Sequence, residues 1–197
     1  MQDKIERRSN KERTRNTRLA LIKAARKLFV EKGYAETSTP EIVKLAEVTR
    51  GALYHHFSDK TGLFRAVLEE EAKEIAQKID MDSASAKSGM DSLMMGTEAY
   101  FEAMSVDGRT RLLLIDAPAV LGPDEMKEIE TLSGADELRE GLEHSIPKAR
   151  QKGLNLDAMA SILSAAFDRA ALEASKGKNA ADYKNAISEL LRGLLKP

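Results

Sequence analysis

Between Thr37 and Phe64 the chain reads TSTPEIVKLAEVTRGALYHHFSDKTGLF, two short helical stretches joined by a tight turn and followed at once by a third. Thr39, Pro40 and Glu41 read as an N-cap, a proline at the first helical position and an acidic first turn, so a helix is expected to start near residue 40. Ile42, Leu45 and Ala46 fall on one face at i, i+3 and i+4, and small Ala46 permits close approach of the next helix.

Thr49 opens the second stretch, its hydroxyl placed to cap a helix from Arg50 to His56. With Leu53 and Phe57 turned to the core, Arg50, Gly51, Ala52, Tyr54, His55 and His56 are left largely outward. That is a face of donors and aromatics interrupted by two very small residues, which would let a helix lie close to DNA. Lys60 then stands in the first turn of a third helix, unfavourable for the helix dipole but suited to a phosphate, so a negatively charged partner is expected. The layout is that of a helix-turn-helix.

The segment VTRGALYHHFSDKTGLFRAVL closely resembles the recognition helix and following helix of TetR-family transcriptional regulators. Upstream, TRLALIKAARKLFVEKGYAETSTPEIVKLA resembles the first two helices of the same family, and the dense match runs from Thr17 to Leu68. One departure stands out: Ala46, Glu47 and Val48 occupy the turn where the family usually has alanine, glycine and valine. A left-handed Glu47 would cost roughly 1 kcal/mol relative to glycine. RLLLIDAPAVLG, residues 111–122, also looks like a segment of the family's ligand-binding domains.

Charge is distributed to match. Net charge is only −1, but residues 1–65 carry 15 Lys and Arg against 8 Asp and Glu, giving +7 and leaving −8 for residues 66–197. A basic head on an acidic body suits a DNA-binding protein. The first dozen residues are polar and charged and are expected to form a mobile arm, after which Arg13, Arg15 and Arg18 could touch phosphates or a minor groove; a merely solubilising tail is the other reading.

Beyond Phe64 the pattern stays helical, with a strut to about Ile79, a polar stretch from Asp80 to Gly89, and helices near 90–104, 107–117, 124–132 and 134–146. Near the C-terminus, Met159, Ile162, Leu163, Ala166, Phe167 and Ala170 make one apolar stripe. Tyr183, Ile187, Leu190, Leu191, Leu194 and Leu195 make a second after a loop at Lys176 to Asn179, where Asn179 and Asp182 resemble a capping box. Two such helices can close their own core. In the family they pair with a second subunit as a four-helix bundle, so the resemblance implies a homodimer interface drawn from these stripes.

An all-α fold of about nine helices is therefore expected, with a DNA-binding head at residues 1–65 and a helical effector-binding and dimerisation part at 66–197. For DNA the chemistry and the resemblance together imply Thr39, Tyr54 and Lys60 on phosphates, Thr49 at the same helix end, and Arg50 on a base edge or phosphate. Gly51 and Ala52 would give close approach, and His55 and His56 would flank the backbone. A short recognition helix reads few base pairs, so two half-sites in a palindromic operator are expected. Met94, Tyr100, Phe101, Met104, Asp116 and Phe167 are candidates for an apolar effector pocket, against which helical spacing favours ordinary core packing and, for Asp116, a capping or salt-bridging role.

Other functions find little support. Cysteine is absent, which excludes disulfides and thiolate sites. His55 and His56 point about 100° apart on one helix and have only His144 as a third imidazole, so no metal is expected. There is no phosphate-cradling glycine loop and no nucleophile elbow, so neither a cofactor nor catalysis is implied. No apolar run approaches a membrane span and no signal-peptide core is present, which makes a cytoplasmic protein the expectation. The reading is a ligand-released repressor; a constitutive or activating DNA-binding protein without an effector is the alternative.

Overall fold

The computed structural model describes residues 2–195, and the described residues are helical with no strand. The head consists of α1 (Gln2–Glu36), α2 (Thr39–Leu45) and α3 (Arg50–His56), with α4 (Lys60–Ser83) running from the head into the body. The body continues through α5 (Gly89–Met104), α6 (Arg109–Arg111), a π-helical turn (Leu112–Asp116) and α7 (Ala117–Val120). It then runs through α8 (Pro123–Glu130), a second π-helical turn (Thr131–Ala135), α9 (Asp136–Ser145), the single turn α10 (Lys148–Gln151), α11 (Leu156–Ser175) and α12 (Ala180–Leu195).

Residues 2–12, expected as an arm, belong to α1. Nothing from Gln2 to Lys32 breaks a helix, because the stretch has no proline or glycine and is rich in Lys, Arg and Glu, which lose little rotamer freedom in helices. The break comes at Gly33, with φ 83° and ψ 166°.

Leu21, Ala25, Phe29, Ile42, Leu53, Leu63 and Phe64 fill the head, with Phe29 and Phe64 edge to face at 5.0 Å. The same cluster continues without interruption into Val67, Ala72, Ile75, Met104 and Leu112, so the boundary expected after residue 65 falls inside a continuous helix and a continuous core. A second cluster ties α5 and α9 to the last two helices through Leu93, Phe101, Leu142, Leu163, Phe167, Ile187 and Leu191.

The π-helical turns have local causes. The first ends two residues before Pro118, which has no N–H to bond the Leu114 carbonyl and whose ring would crowd it. The second contains Gly134 at φ 105°, and a Cβ there would stand 3.0 Å from Ile79 Cδ1, so glycine permits both the backbone and the close packing on α4.

Head and body are also joined by charge. Glu71 on α4, only 3% exposed, accepts from Arg26 of α1 at 2.5 Å and from Arg109 of α6 at 2.7 Å. Arg109 completes its set on the Ala103 carbonyl at 2.9 Å and on Glu74. Burial pushes the Glu71 carboxyl up, but the hydrogen bonds from Arg26 and Arg109 outweigh it and hold the group below the usual carboxylate range.

Candidate functional site

The turn between α2 and α3 is a Schellman closure: the Val48 amide donates to the Val43 carbonyl at 3.2 Å and the Glu47 amide to that of Lys44 at 3.3 Å. Glu47 takes φ 55°, the one positive φ outside glycine among the described residues. The strained conformation foreseen for this position is present.

Helix α2 starts one residue earlier than expected. Ser38 is its N-cap, and Glu41 accepts from the Ser38 amide at 3.1 Å and hydroxyl at 2.7 Å, because a glutamate three residues on completes a capping pair with serine rather than threonine. Lys32 and Ser38 together hold the Glu41 carboxyl at about 2. Thr39 is thereby free of capping duty. Thr49 caps α3 as expected, accepting from the Ala52 amide at 3.1 Å.

Thr39, Arg50 and Tyr54 come together on the outer surface. Tyr54 lies beside Thr39 and Arg50, whose side chains lower its pKa, Thr39 the more strongly, and the Arg50 guanidinium stands 5.5 Å from the Tyr54 ring centroid. Leu53 and Phe57 are buried beneath, while Gly51 and His55 are exposed and Ala52 and His56 are half-buried. Packing does not demand the glycine: a Cβ at Gly51 would meet only Thr49 Oγ1, at 3.9 Å. Arg18 of α1 closes one end, 5.3 Å from the Phe57 ring, and His56 is pushed down by burial, then by His55 and Arg18.

Lys60 is turned inward. Its ammonium donates to the carbonyls of Tyr34 at 2.9 Å and Thr37 at 3.0 Å and lies 4.3 Å from the Tyr34 ring, so the negative partner expected from the sequence is supplied by the C-terminal end of α1.

In the body, a cavity of about 600 Å³ lies between α4, α5, α8, α9 and α11, and both π-helical turns form part of its wall. Of the residues expected to line it, Tyr100, Met104 and Phe167 do; Met94, Phe101 and Asp116 do not. Phe101 is buried in the second core cluster and Met94 packs on that cluster, while Asp116 pairs with Arg111 at 3.4 Å, the structural role open to it from the start. The Tyr100 hydroxyl donates to Asp168 at 2.7 Å, and the Tyr100 and Phe167 rings meet edge to face at 5.2 Å. Burial raises Tyr100 well above its ordinary value, reinforced by the neighbouring Asp168 charge. Asp168 is itself raised by burial, which its hydrogen bond from Tyr100 only partly offsets.

The stripes of α11 and α12 divide. Leu163, Phe167, Ile187 and Leu191 are buried in the subunit's own core and so do not form an outer surface as expected, while Met159, Ala166, Tyr183 and Leu194 pack against that core and stay partly exposed. Ile162 and Leu190 point away, 70% and 55% exposed. An α-helix with residues on a two-sided stripe must give one side to its own core, and the apolar pattern did not say which. Asn179 caps α12 through the Ala181 amide at 3.1 Å, without a return bond from Asp182.

Among the described residues, no group of His, Asp or Glu is placed to hold a metal, and no helix is long and apolar enough to cross a membrane. The three-helix head, with a capped third helix offering its outer face, defines a helix-turn-helix DNA-binding protein. Residues 21–67 match the profile of bacterial regulatory proteins of the tetR family, and residues 90–197 match that of the tetracyclin repressor-like C-terminal domain. The chain belongs to the TetR family and is a DNA-binding transcriptional regulator, in a family of non-enzymatic regulators that are mostly repressors. It is 27% identical over 186 residues to the transposon Tn10 TetC protein of Escherichia coli, covering 93% of each chain. It is 44% identical over 62 residues to the transcriptional regulator TtgR of Pseudomonas putida, a match confined to 32% of this chain and 30% of that one. Among solved structures, a TetR-family regulator from Pectobacterium atrosepticum superposes with a TM-score of 0.72 at 31% identity, covering 94% of this chain and 98% of that one.

Two features were missed from sequence alone. Asp168 follows Phe167 and precedes Ala170 and Ala171, and an acid so embedded was the available signal. The Arg26, Glu71 and Arg109 set left none, since charged residues scattered over three helices read as solvated faces.

Proposed function

We propose that the protein is a homodimeric repressor that holds a palindromic operator through Thr39, Arg50 and Tyr54 and is released by a small molecule bound in the body. The observation that carries this reading is the Thr39, Arg50 and Tyr54 cluster beside a glycine that the fold does not require. Thr39 and Tyr54 hydroxyls address phosphates, and Arg50 reaches a base edge. Gly51 and Ala52 admit the duplex, His55 and His56 flank it, and Thr49 holds the helix end. Lys60 serves from behind by fixing α1 to α4. Ile162 and Leu190, with exposed Ala158, Ala165, Ala186 and Gly193 at helical spacing beside them, supply the dimer surface.

The effector occupies the cavity and acts through α4, which gives Ile75 and Ile79 to the cavity wall and Lys60 to the head. Coupling of this kind is typically ~1–3 kcal/mol. The test is selection of bound fragments from genomic DNA with the purified protein, then titration of the best fragment at several salt concentrations. Enrichment of one palindrome with affinity falling steeply with salt is expected. Failure to enrich any site at low salt would remove this reading.

A further inference from the structure

We infer that the effector is an amphiphilic amine, its ammonium met by the carboxylates of the cavity wall, Glu137 and Asp168 foremost, and its hydrocarbon part lying along α4, α5 and the π-helical turns. The inference rests on the cavity being the effector site, as proposed above. Its wall carries Asp80, Glu130, Glu137, Glu140 and Asp168 against a single guanidinium, Arg169. Arg169 is committed to Glu173 at 2.9 Å, whereas no ion pair reaches any of those five carboxylates among the described residues. His144, the other basic side chain there, has its Nδ1 at 2.8 Å from the Glu140 carbonyl of its own helix.

Within that wall Glu137 is the unusual group. Its Oε2 is fully buried and receives no hydrogen bond from any described residue. Burial raises this carboxyl above its ordinary range; its own backbone amide offsets part of that rise, and the charges of Asp80, Asp136 and Glu140 add to it. A buried acceptor left unmatched is costly, and a charge-assisted donor is the chemistry that relieves it. Asp168 supplies a second acceptor: Tyr100 satisfies one of its oxygens, Oδ1. The Tyr100 and Phe167 rings line the same cavity, and aromatic side chains attract cations. The remaining wall is Ile75, Ile79, Met104, Leu113, Met126 and Leu172, which suits an alkyl or aryl body. A fatty carboxylate of the same length would be repelled by the carboxylates that outnumber the basic side chains of this wall.

Three ligands sharing one tail separate charge from shape: decylamine, 1-decanol and decanoate, each titrated calorimetrically into the full-length protein at neutral pH below its micelle concentration. The amine is expected to bind at least about tenfold more tightly than the alcohol, and decanoate most weakly. In a protein carrying both Glu137→Gln and Asp168→Asn, the preference for amine over alcohol should fall to within about twofold, because both charges are gone while the shape and the Tyr100 hydrogen bond remain. These substitutions remove buried charges, so the variant should fold, and circular dichroism would show it. Decanoate binding as well as the amine, or an amine preference that survives in the double variant, overturns the inference while leaving the cavity as an effector site. Failure of all three to bind the folded wild-type protein overturns both.

Discussion

Arg109 Nε donates to Glu71 Oε2 at 2.7 Å in a site where both side chains are almost wholly buried, and Arg26 of the head shares the same carboxylate. A buried pair of this kind gains little net stability by existing but is costly to break, since removing one partner strands the other. Glu71→Ala should lower unfolding free energy by about 3–5 kcal/mol in urea titrations. Replacing Glu71 and Arg109 together with leucine and methionine should cost much less. Equal losses in the single and double variants would show that the charge pairing is not the source.

The pH dependence follows from the same group. Its folded pKa lies below its ordinary value, so the native state binds fewer protons than the unfolded chain and the stabilisation is present above the unfolded carboxylate pKa. It is lost as pH falls from there through the folded pKa. Thermal midpoints of the wild-type protein should therefore decline on acidification below about pH 4.5, and Glu71→Gln should flatten part of that slope. A slope unchanged in the variant would assign the acid sensitivity elsewhere.

Glu47 carries a backbone strain at φ 55° that glycine, having no Cβ, relieves. Glu47→Gly should stabilise the protein by about 1 kcal/mol, with operator affinity retained. Glu47→Val, branched at Cβ, should destabilise it. Chemical denaturation of the three proteins side by side decides the matter.

At the recognition helix, stability and binding should separate. Arg50→Ala should weaken operator binding by about 1–3 kcal/mol, with the urea midpoint unchanged. Gly51 is exposed and an added Cβ there meets only Thr49 Oγ1 at 3.9 Å, so Gly51→Leu should leave the fold intact, yet its side chain would stand where the proposed duplex approaches. Fluorescence anisotropy with a labelled operator, run beside denaturation curves, checks both; undiminished affinity in Gly51→Leu would move the groove contact off this face.

Ile162→Asp and Leu190→Asp should produce a folded monomer by sedimentation velocity, since both side chains face outward. Leu191→Asp, one residue further, should unfold the chain because Leu191 is fully buried. A dimer that survives the first pair would place the subunit interface on another surface.

Much of this architecture is legible in the sequence, and the exceptions have physical reasons. Thr49 announces its cap because an N-cap is a local hydrogen bond between near neighbours. The inward turn of Lys60 depends on where α1 ends in space, which residue order alone does not state. The same holds for Ile162 and Leu163: adjacent apolar residues on a helix point about 100° apart, and only the packed neighbours determine which one enters the core. Asp168 and Glu137 became visible only when helices distant in sequence enclosed a shared space.

Helix α4 reaches from Lys60, at the junction with α1, to Ile79, on the wall of the cavity, without a kink or a loop to absorb error. Substitutions along its exposed face leave that relation untouched. A change of length does not: inserting or deleting one residue between Phe64 and Ile75 would turn everything downstream by about 100° and shift it by about 1.5 Å relative to the DNA-reading end. Such an insertion would carry Glu71 away from Arg26, or Ile75 and Ile79 away from the cavity. The number of residues in this segment is therefore as constrained as any side chain in the protein.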